Sequence, residues 1–203
     1  VGLVTINQKR LDLMLGNSSV MHMGYIFLAI AALSANPDNS IAVPAAVLLM
    51  FAHGISIALL FSLTSVVEQK TGTLEIDQLG GLAKTAPALA FLFGLAGMAS
   101  IGLPGLANFA GEVMVFFAGF ADWTPGESLG WVQITTIIAL WCVVISAVYM
   151  LRAYRNTFQG PLVKATENAA DIHYCEKIPS YILAITLLVV GIYPQIILQF
   201  LSN

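Results

Sequence analysis

Charged side chains are scarce in this sequence. Only 9% of the 203 residues are Asp, Glu, Lys or Arg, and 58% are hydrophobic, whereas a soluble domain carries about 25% charged residues. The mean hydropathy is +0.86. This composition excludes an ordinary soluble domain and predicts an integral membrane protein in a lipid bilayer. The net charge of −3 is small, and no basic tract indicates nucleic-acid binding.

Cysteine is almost absent too. Cys142 lies in an apolar segment and Cys175 in a polar loop, with no Cys-x-x-Cys pair or Cys/His cluster. The sequence therefore offers no iron–sulfur or zinc site. No Gly-x-Gly-x-x-Gly motif follows a strand, so no nucleotide site is indicated. We expect no cofactor, no metal ion and no redox-active catalytic residue.

The sequence also lacks an initial Met and a signal peptide. It opens on Val-Gly-Leu-Val-Thr-Ile-Asn-Gln-Lys-Arg, which is typical of the end of an earlier segment. We expect a piece of a longer protein.

Long apolar runs fill most of the chain. A length of 203 residues accommodates about six spans of ~20 residues. The sequence predicts an all-α, polytopic transmembrane helix bundle of about six helices. Turn residues and charges place them at residues 13–33, 41–67, 86–103, 108–121, 131–151 (extending as far as 158) and 178–201.

Pro104-Gly105 interrupts the apolar sequence between the third and fourth of these segments. Proline removes a backbone donor and glycine permits unusual torsions, so a continuous helix is not expected here. The helix that follows is too short to cross a membrane alone, since 14 residues rise about 21 Å. The pattern predicts a discontinuous membrane helix, whose free backbone groups need protein or water as partners.

Strict alternation of six spans creates a conflict over orientation. It puts Lys9 and Arg10 on the opposite side from the loop that holds Arg152, Arg155, Lys164 and Lys177, whereas the positive-inside rule favours one side for all of them. Either the short helix is not a full crossing, or sequence beyond this chain sets the topology.

Glu112 is the only charged residue between Lys84 and Asp122, inside Asn-Phe-Ala-Gly-Glu-Val-Met-Val-Phe-Phe. An ionised carboxylate in hydrocarbon costs roughly 3 kcal/mol or more. An acid retained there predicts a proton carrier. The structural alternative is an acid that stays protonated or is held in an ion pair.

Two histidines add to this polar set. His53 lies near the middle of the second span, and His22 lies in the first. Imidazole titrates near neutrality and can take a proton at one nitrogen while it releases one at the other. The alternative for both is a neutral ring that hydrogen-bonds neighbouring helices. Hydroxyl and amide groups that could link such a track are Ser56, Thr64, Ser100, Asn108, Thr135, Thr136 and Ser146.

Four motifs carry a family resemblance. They are Ser-Ser-Val-Met-His-Met-Gly-Tyr-Ile-Phe-Leu-Ala-Ile (18–30), Ala-His-Gly-Ile-Ser-Ile-Ala-Leu-Leu-Phe (52–61), Gly-Gly-Leu-Ala-Lys (80–84) and Gly-Leu-Pro-Gly-Leu-Ala-Asn-Phe-Ala-Gly-Glu (102–112). In this order they resemble the antiporter-like membrane subunits of respiratory complex I, of the chain M type of bacterial NADH:quinone oxidoreductase. Sodium/proton antiporter subunits of the multisubunit type are related.

The resemblance implies a bundle of about fourteen helices built from two inverted five-helix repeats. Residues 1–203 would form a single transmembrane domain that holds most of the second repeat and the final helix. Glu112 would match the acid of the broken helix, His53 the relay histidine at mid-membrane depth, and His22 the histidine of the preceding helix. Such a subunit carries no redox cofactor.

One departure concerns a lysine that the family usually places shortly before the Ser-Ser-Val motif. Lys9-Arg10-Leu11 is present but lies three residues further away, and Asp12 stands at the ungapped position. Asn17 stands where an aromatic residue is common. Both Lys9 and Asp12 therefore remain candidates for this role.

The implied function is proton translocation within complex I in a bacterial inner membrane, alongside other membrane subunits and, through them, hydrophilic redox subunits. The first alternative is a cation/proton antiporter subunit without an electron-transfer partner. The second is a passive scaffold whose polar residues only join helices.

Overall fold

The computed structural model describes residues 1–201, and within that range the chain forms helices, turns and loops without a strand. Two short 3-10 turns, Ile76–Gln78 and Leu82–Lys84, lie between the third and fourth helices. The helices are α1 (Gly2–Ile6), α2 (Leu11–Ala35), α3 (Ala42–Thr71), α4 (Pro87–Ile101), α5 (Ala107–Phe120), α6 (Trp131–Phe158), α7 (Tyr174–Ile192) and α8 (Gln195–Leu198).

Local sequence explains most helix ends. The Asn39 side chain accepts hydrogen bonds from the amides of Ile41 and Ala42 at the start of α3, as expected of an N-terminal cap. Gly72, at φ 73°, ends α3 in the left-handed conformation that glycine favours. Pro87 occupies the first turn of α4, where its missing amide hydrogen costs nothing.

Helices α4 and α5 together form one crossing. At one end, the side chain of Asn36 hydrogen-bonds Asp122, and Asn39 Nδ2 donates to Ala118 O over 2.9 Å. The end of α5 therefore meets the α2–α3 turn. At the other end Asp171, just before α7, accepts from Ala88 N at the start of α4 over 3.0 Å. The two helices have 15 and 14 residues, and their summed rise of about 43 Å matches the 28-residue α6.

The short helix is therefore not a full crossing, which is the first of the two explanations for the orientation conflict: the chain reverses twice, not three times, between α3 and α6. Within residues 1–201, α2, α3, the α4–α5 pair and α6 each cross the bundle. Helix α7 starts a fifth passage from the same end as α4. Arg152 Nη2 donates to Gln8 O, so the C-terminal part of α6 and the start of α2 lie at the same end of the bundle. The conflict with the positive-inside rule therefore disappears.

All eight Lys and Arg residues of the sequence lie in segments at this end, which we call the basic end. They are Lys9, Arg10, Lys70, Lys84, Arg152, Arg155, Lys164 and Lys177. At the opposite, acidic end, residues 36–41 and 121–130 of the described chain contain only acidic charges, which are Asp38, Asp122 and Glu127. The asymmetry is that of a membrane protein with a defined orientation.

Several predicted boundaries need correction. The 86–103 segment is not a full span, because α4 ends at Ile101 and has only 15 residues. The last span does not reach residue 201: α7 ends at Ile192, and Pro194 cannot continue it. It also begins four residues early, at Tyr174, where Glu176 Oε2 accepts from His173 N. Helix α3 continues past residue 67 to Thr71.

Helix α3 lies at the centre of the bundle. Half of the apolar stretch of α3 is buried inside the bundle, compared with 22% of the corresponding stretch in α6 and in α7. The exposed faces of α6 and α7 are rich in large apolar side chains such as Ile138, Trp141 and Ile182. These faces suit contact with lipid or with neighbouring protein, and the polar groups gather around α3.

Candidate functional site

The break between α4 and α5 spans residues 102–106, about halfway along the combined helix. Gly102 (φ 80°) and Gly105 (φ 91°) adopt positive φ values, which glycine alone adopts readily. Gly102 N donates to Ala99 O, and Leu103 N donates to Met98 O. These two hydrogen bonds satisfy two of the four carbonyls that every helix leaves free at its C-terminus.

A further carbonyl of the α4 terminus, Ser100 O, is contacted by a side chain of α2. His22 Nε2 lies 2.8 Å from Ser100 O, and His22 Nδ1 lies 2.8 Å from Ser18 O. Carbonyl oxygens only accept, so both contacts are hydrogen bonds only when both ring nitrogens carry protons. The C-terminal end of a helix also favours a cation. The geometry around His22 therefore suits an imidazolium.

Glu112 lies beside this histidine. Its Oε1 is 3.7 Å from His22 Nε2, and the residue is 3% exposed. Oε1 has no hydrogen-bond partner within residues 1–201. A Cβ added at Gly102 would overlap Glu112 Oε2, so the carboxyl group packs directly against the break. The break thus gives Glu112 both its space and its basic neighbour.

His53 of α3 stacks on His22, with the ring centroids 5.0 Å apart and the planes inclined by 14°. Its Nε2 is 2.9 Å from Ser19 Oγ, and its buried Nδ1 has no partner in the described part of the chain. Two positive rings at this distance repel by about 3 kcal/mol at an effective dielectric constant of about 20. The second ring proton, which makes one histidine a cation, therefore disfavours a second ring proton on the other histidine.

Polar groups continue around the acidic side chain. Asn108 Nδ2 donates to Ser56 Oγ over 3.3 Å, and Ser56 Oγ donates to His53 O over 3.0 Å. Asn108 Oδ1 and Ser100 Oγ are buried and unpaired within residues 1–201. Unpaired buried polar groups in one place are the usual lining of an internal water site. The polar groups around Glu112 are therefore of the kind that holds internal water.

The remaining predicted hydroxyl groups are less involved. The side chains of Thr64, Thr135, Thr136 and Ser146 donate to backbone carbonyls of their own helices. Such bonds satisfy the hydroxyl locally, and Thr135 is exposed. Among the hydroxyls named from the sequence, Ser56 and Ser100 lie closest to the acid–histidine group.

Lys9 and Asp12 lie away from this group. Both stand at the basic end: Asp12 lies about 15 Å along α2 from His22 at 1.5 Å per residue, and Lys9 precedes the start of α2. Lys9 is exposed, and Asp12 accepts two hydrogen bonds from Arg10, at 3.1 and 2.9 Å. The hydrogen bond to Asp12 raises the pKa of Arg10 above its ordinary value. The structure thus brings together Glu112, His22 and His53, but not Lys9 or Asp12.

The sequence predicts a local hydrogen bond to His22 from Ser18 or Ser19, one turn earlier. The contact is made by the Ser18 carbonyl, while the Ser19 hydroxyl contacts His53 instead. Sequence reasoning missed two other contributors: Gly102 makes room for the carboxyl group, and Tyr149 hydrogen-bonds Ser18 across 2.6 Å. Tyr149 and Gly102 depend on contacts between distant segments. Within residues 1–201, no group of three or more His, Cys, Asp or Glu could hold a metal ion.

Comparison with known proteins gives a consistent result. Residues 1–138 match the family described as NADH:quinone oxidoreductase/Mrp antiporter, TM. The chain is 35% identical over 193 residues to NAD(P)H-quinone oxidoreductase chain 4 1 of Synechococcus elongatus, covering 95% of this chain and 35% of the relative. It is 30% identical over 200 residues to NADH-quinone oxidoreductase subunit M of Mycobacterium tuberculosis, covering 98% and 34%.

The fold is similar to that of a solved assembly. A chain of respiratory complex I from Thermus thermophilus with bound NADH superposes with a TM-score of 0.82 at 27% identity, over 95% of this chain and 38% of that one. The chain therefore spans little more than a third of the length of the proteins that it matches.

Proposed function

Because this chain belongs to the NADH:quinone oxidoreductase/Mrp antiporter membrane family, we propose that it carries protons across the membrane as part of a complex I-type enzyme. The observation that carries the proposal is the buried Glu112–His22 contact of 3.7 Å at the helix break, with His53 stacked on the same histidine. One acid and two bases with overlapping reach can hold a proton in alternative places.

His22 and Glu112 form the exchange pair. With the proton on His22 Nε2 the ring is a cation beside a carboxylate; with the proton on Glu112 both groups are neutral. The pair has zero net charge in both states, so it avoids an unpaired buried ion in either one. The α4 carbonyl end favours the first state, and desolvation favours the second.

His53 shifts this balance. When His53 takes a proton, repulsion across the 5.0 Å stack drives the His22 proton toward Glu112. Ser19 Oγ at His53 Nε2 supplies a hydroxyl through which His53 can be loaded. The histidines thus act as relay and trigger, and Glu112 acts as the exchange site. Reduction of quinone elsewhere in the assembly would supply the drive through neighbouring charges.

The surrounding assembly follows from the same proposal. Residues 1–203 would supply most of a second inverted repeat and a final helix of a longer subunit. Its partners would be other membrane subunits and, through them, hydrophilic redox subunits. The basic end would face the cytoplasm of a bacterial inner membrane, in line with the positive-inside rule.

Glu112→Gln tests the proposal in membrane vesicles that carry the assembled enzyme. Gln keeps the shape of the side chain but cannot exchange a proton, so NADH-driven acidification should fall roughly tenfold or more, in line with the loss of a proton-transfer group. The readout is quenching of an acridine dye, normalised to NADH oxidation and to the amount of assembled complex. Glu127→Gln, an exposed acid at the acidic end, is the matched control.

Unchanged acidification in Glu112→Gln would contradict the proposal and favour a scaffold. The family description also includes Mrp antiporters, and this gives the alternative function a specific test. Proton movement in the same vesicles that depends on sodium and needs no NADH would identify a cation/proton antiporter. Purification with iron–sulfur subunits would identify the complex I type.

A further inference from the structure

A stripe of polar side chains on α2 faces a matching stripe on α6. Ser18, His22 and Tyr25 follow the i, i+4, i+7 spacing of one helix face, as do Cys142, Ser146 and Tyr149 on α6. Ser18 and Tyr149 are joined by a 2.6 Å hydrogen bond. Because α2 and α6 run in opposite directions, this contact sets the level of the other residues and brings Tyr25 opposite Cys142.

We call the contact between these two stripes the α2–α6 seam. Within it, the Tyr25 hydroxyl is the group that has no structural role. It is 2% exposed, and its hydroxyl has no hydrogen-bond partner among residues 1–201. The ring packs edge-on against His22 at 5.7 Å and against Phe116 at 5.6 Å. Phenylalanine would make the same packing contacts, and a buried unpaired hydroxyl costs about 1–3 kcal/mol. The hydroxyl therefore needs another explanation.

The Tyr25 and Tyr149 hydroxyls converge on the level of Glu112. Helical side chains lean toward the N-terminus of their own helix, so on these antiparallel helices the two tyrosines lean toward each other. Both hydroxyls lie within electrostatic range of the Glu112 carboxyl group. Ser18, the partner of Tyr149, also holds His22 Nδ1 through its carbonyl. The seam is thus a second polar approach to Glu112.

We propose that the Tyr25 hydroxyl is a proton-relay group that exchanges protons between Glu112 and the hydrogen-bonded Ser18–Tyr149 pair. Tyr25 Oη has no hydrogen-bond partner among residues 1–201, so a water molecule bridges each transfer. The hydroxyl oxygen accepts a proton from one bridging water at a lone pair and releases its own proton to another water on the opposite side. The tyrosine is neutral before and after, and no other reactant is consumed. This inference rests on the proposed proton-translocating function and adds a branch along the α2–α6 seam.

Tyr25→Phe tests the relay in the vesicle assay already described, with Glu112→Gln measured in parallel. Proton flow per NADH oxidised should fall roughly twofold or more, while the thermal stability of the complex stays equal or rises, because an unpaired buried hydroxyl is removed. Tyr149→Phe should lower proton flow as well. Since both residues serve one route, the double variant should lose no more proton flow than the more impaired of the two single variants.

Thr64→Val is the matched control, because it removes a buried hydroxyl that bonds only to Leu60 O. Unchanged proton flow in Tyr25→Phe overturns the relay, and so does a loss that follows only the amount of assembled complex. Fully additive losses in the double variant overturn the shared route. If Glu112→Gln also leaves proton flow unchanged, the proposed function fails; if only Tyr25→Phe does, the failure is confined to this inference.

Discussion

Two proline-containing interruptions can be compared in this molecule: the break between α4 and α5, and the one between α7 and α8. The first has two glycines with positive φ, a histidine that binds the carbonyl end of α4, and a buried carboxyl group against Gly102. The second consists of Tyr193 and Pro194, and Tyr193 is 59% exposed. Only the first places a histidine and an acid against its backbone.

Proline alone therefore does not bring an acid and a histidine to a break. At Pro194 the helix ends because the ring cannot continue the hydrogen-bond pattern, and the turn holds no Asp, Glu, His, Lys or Arg. At 102–106 the interruption leaves carbonyls without a partner in their own helix at about half the depth of the bundle. Helix α2 supplies a histidine that contacts one of them, and α5 supplies an acid beside that histidine.

Gly102→Ala should be the most damaging change. Its Cβ would overlap Glu112 Oε2, and the residue has a φ of +80°, so strain and displacement of the acid add to about 3 kcal/mol or more. We expect a large loss of assembled complex and of proton flow, measured by thermal unfolding of the detergent-purified complex and by the vesicle assay. Gly105→Ala, also at positive φ but with open space around its Cβ, should lose only about 1 kcal/mol. Equal effects would show that contact with Glu112 is unimportant.

Gly191→Ala should be the next most damaging. Helix α7 crosses the break here, and an added Cβ would lie 2.5 Å from Gly105 O and from Leu106. Overpacking of this kind costs about 2 kcal/mol, seen as a lower unfolding temperature. Gly54→Ala, a helical glycine with open space around it, should instead be neutral or stabilise by up to about 1 kcal/mol. If the two variants behave alike, α7 does not pack on the break as described.

Asp171→Ala should have a moderate effect through the far end of α4. The carboxylate accepts from the amides of Ala88 and Leu89 at 3.0 and 3.1 Å, and the loss of such a cap costs about 1 kcal/mol. Asp77→Ala removes an exposed acid from the same end of the bundle and should change the unfolding temperature little. A smaller effect at Asp171 than at Asp77 would rule out the capping role.

Pro194→Ala should have the smallest effect. No buried acid depends on the second break, so the free energy of unfolding should change by no more than about 0.5 kcal/mol, and proton flow should be unaffected. Vesicle assays and thermal unfolding would check both. A loss of proton flow comparable with that of Gly102→Ala would remove the distinction between the two breaks.

Sequence reasoning reached the family and the fold class, and it located the break. The membership suggested by four ordered motifs is confirmed by the family match over residues 1–138, and the all-helical bundle is confirmed by the structure. Pro104-Gly105 marked the interruption correctly because both residues act through local backbone geometry. The structure adds that Gly102 begins it, three residues after the Ala99 carbonyl that its amide contacts.

Long-range arrangement was less accessible. Two half-helices look like two helices along a sequence, so the sequence leaves open whether the short helix crosses the membrane; the contact of Asn39 with Ala118 shows that α4 and α5 form one crossing. The cost of polar groups in hydrocarbon predicts that Glu112, His53 and His22 belong to one polar track. Their mutual distances depend on how three helices pack, which a single sequence does not contain. The roles given to them, and to Lys9 and Asp12, remain predictions.

The outer edge of the break matters for the proton permeability of the membrane. Leu103, Pro104 and Gly105 are exposed on the bundle surface, and hydrocarbon offers no hydrogen-bond partner to a free peptide group. A neighbouring protein surface or water is therefore needed at this edge, which belongs to the same break that the Glu112 carboxyl group packs against. On the proposed function, removal of that cover would turn a coupled carrier into a leak that dissipates the proton gradient.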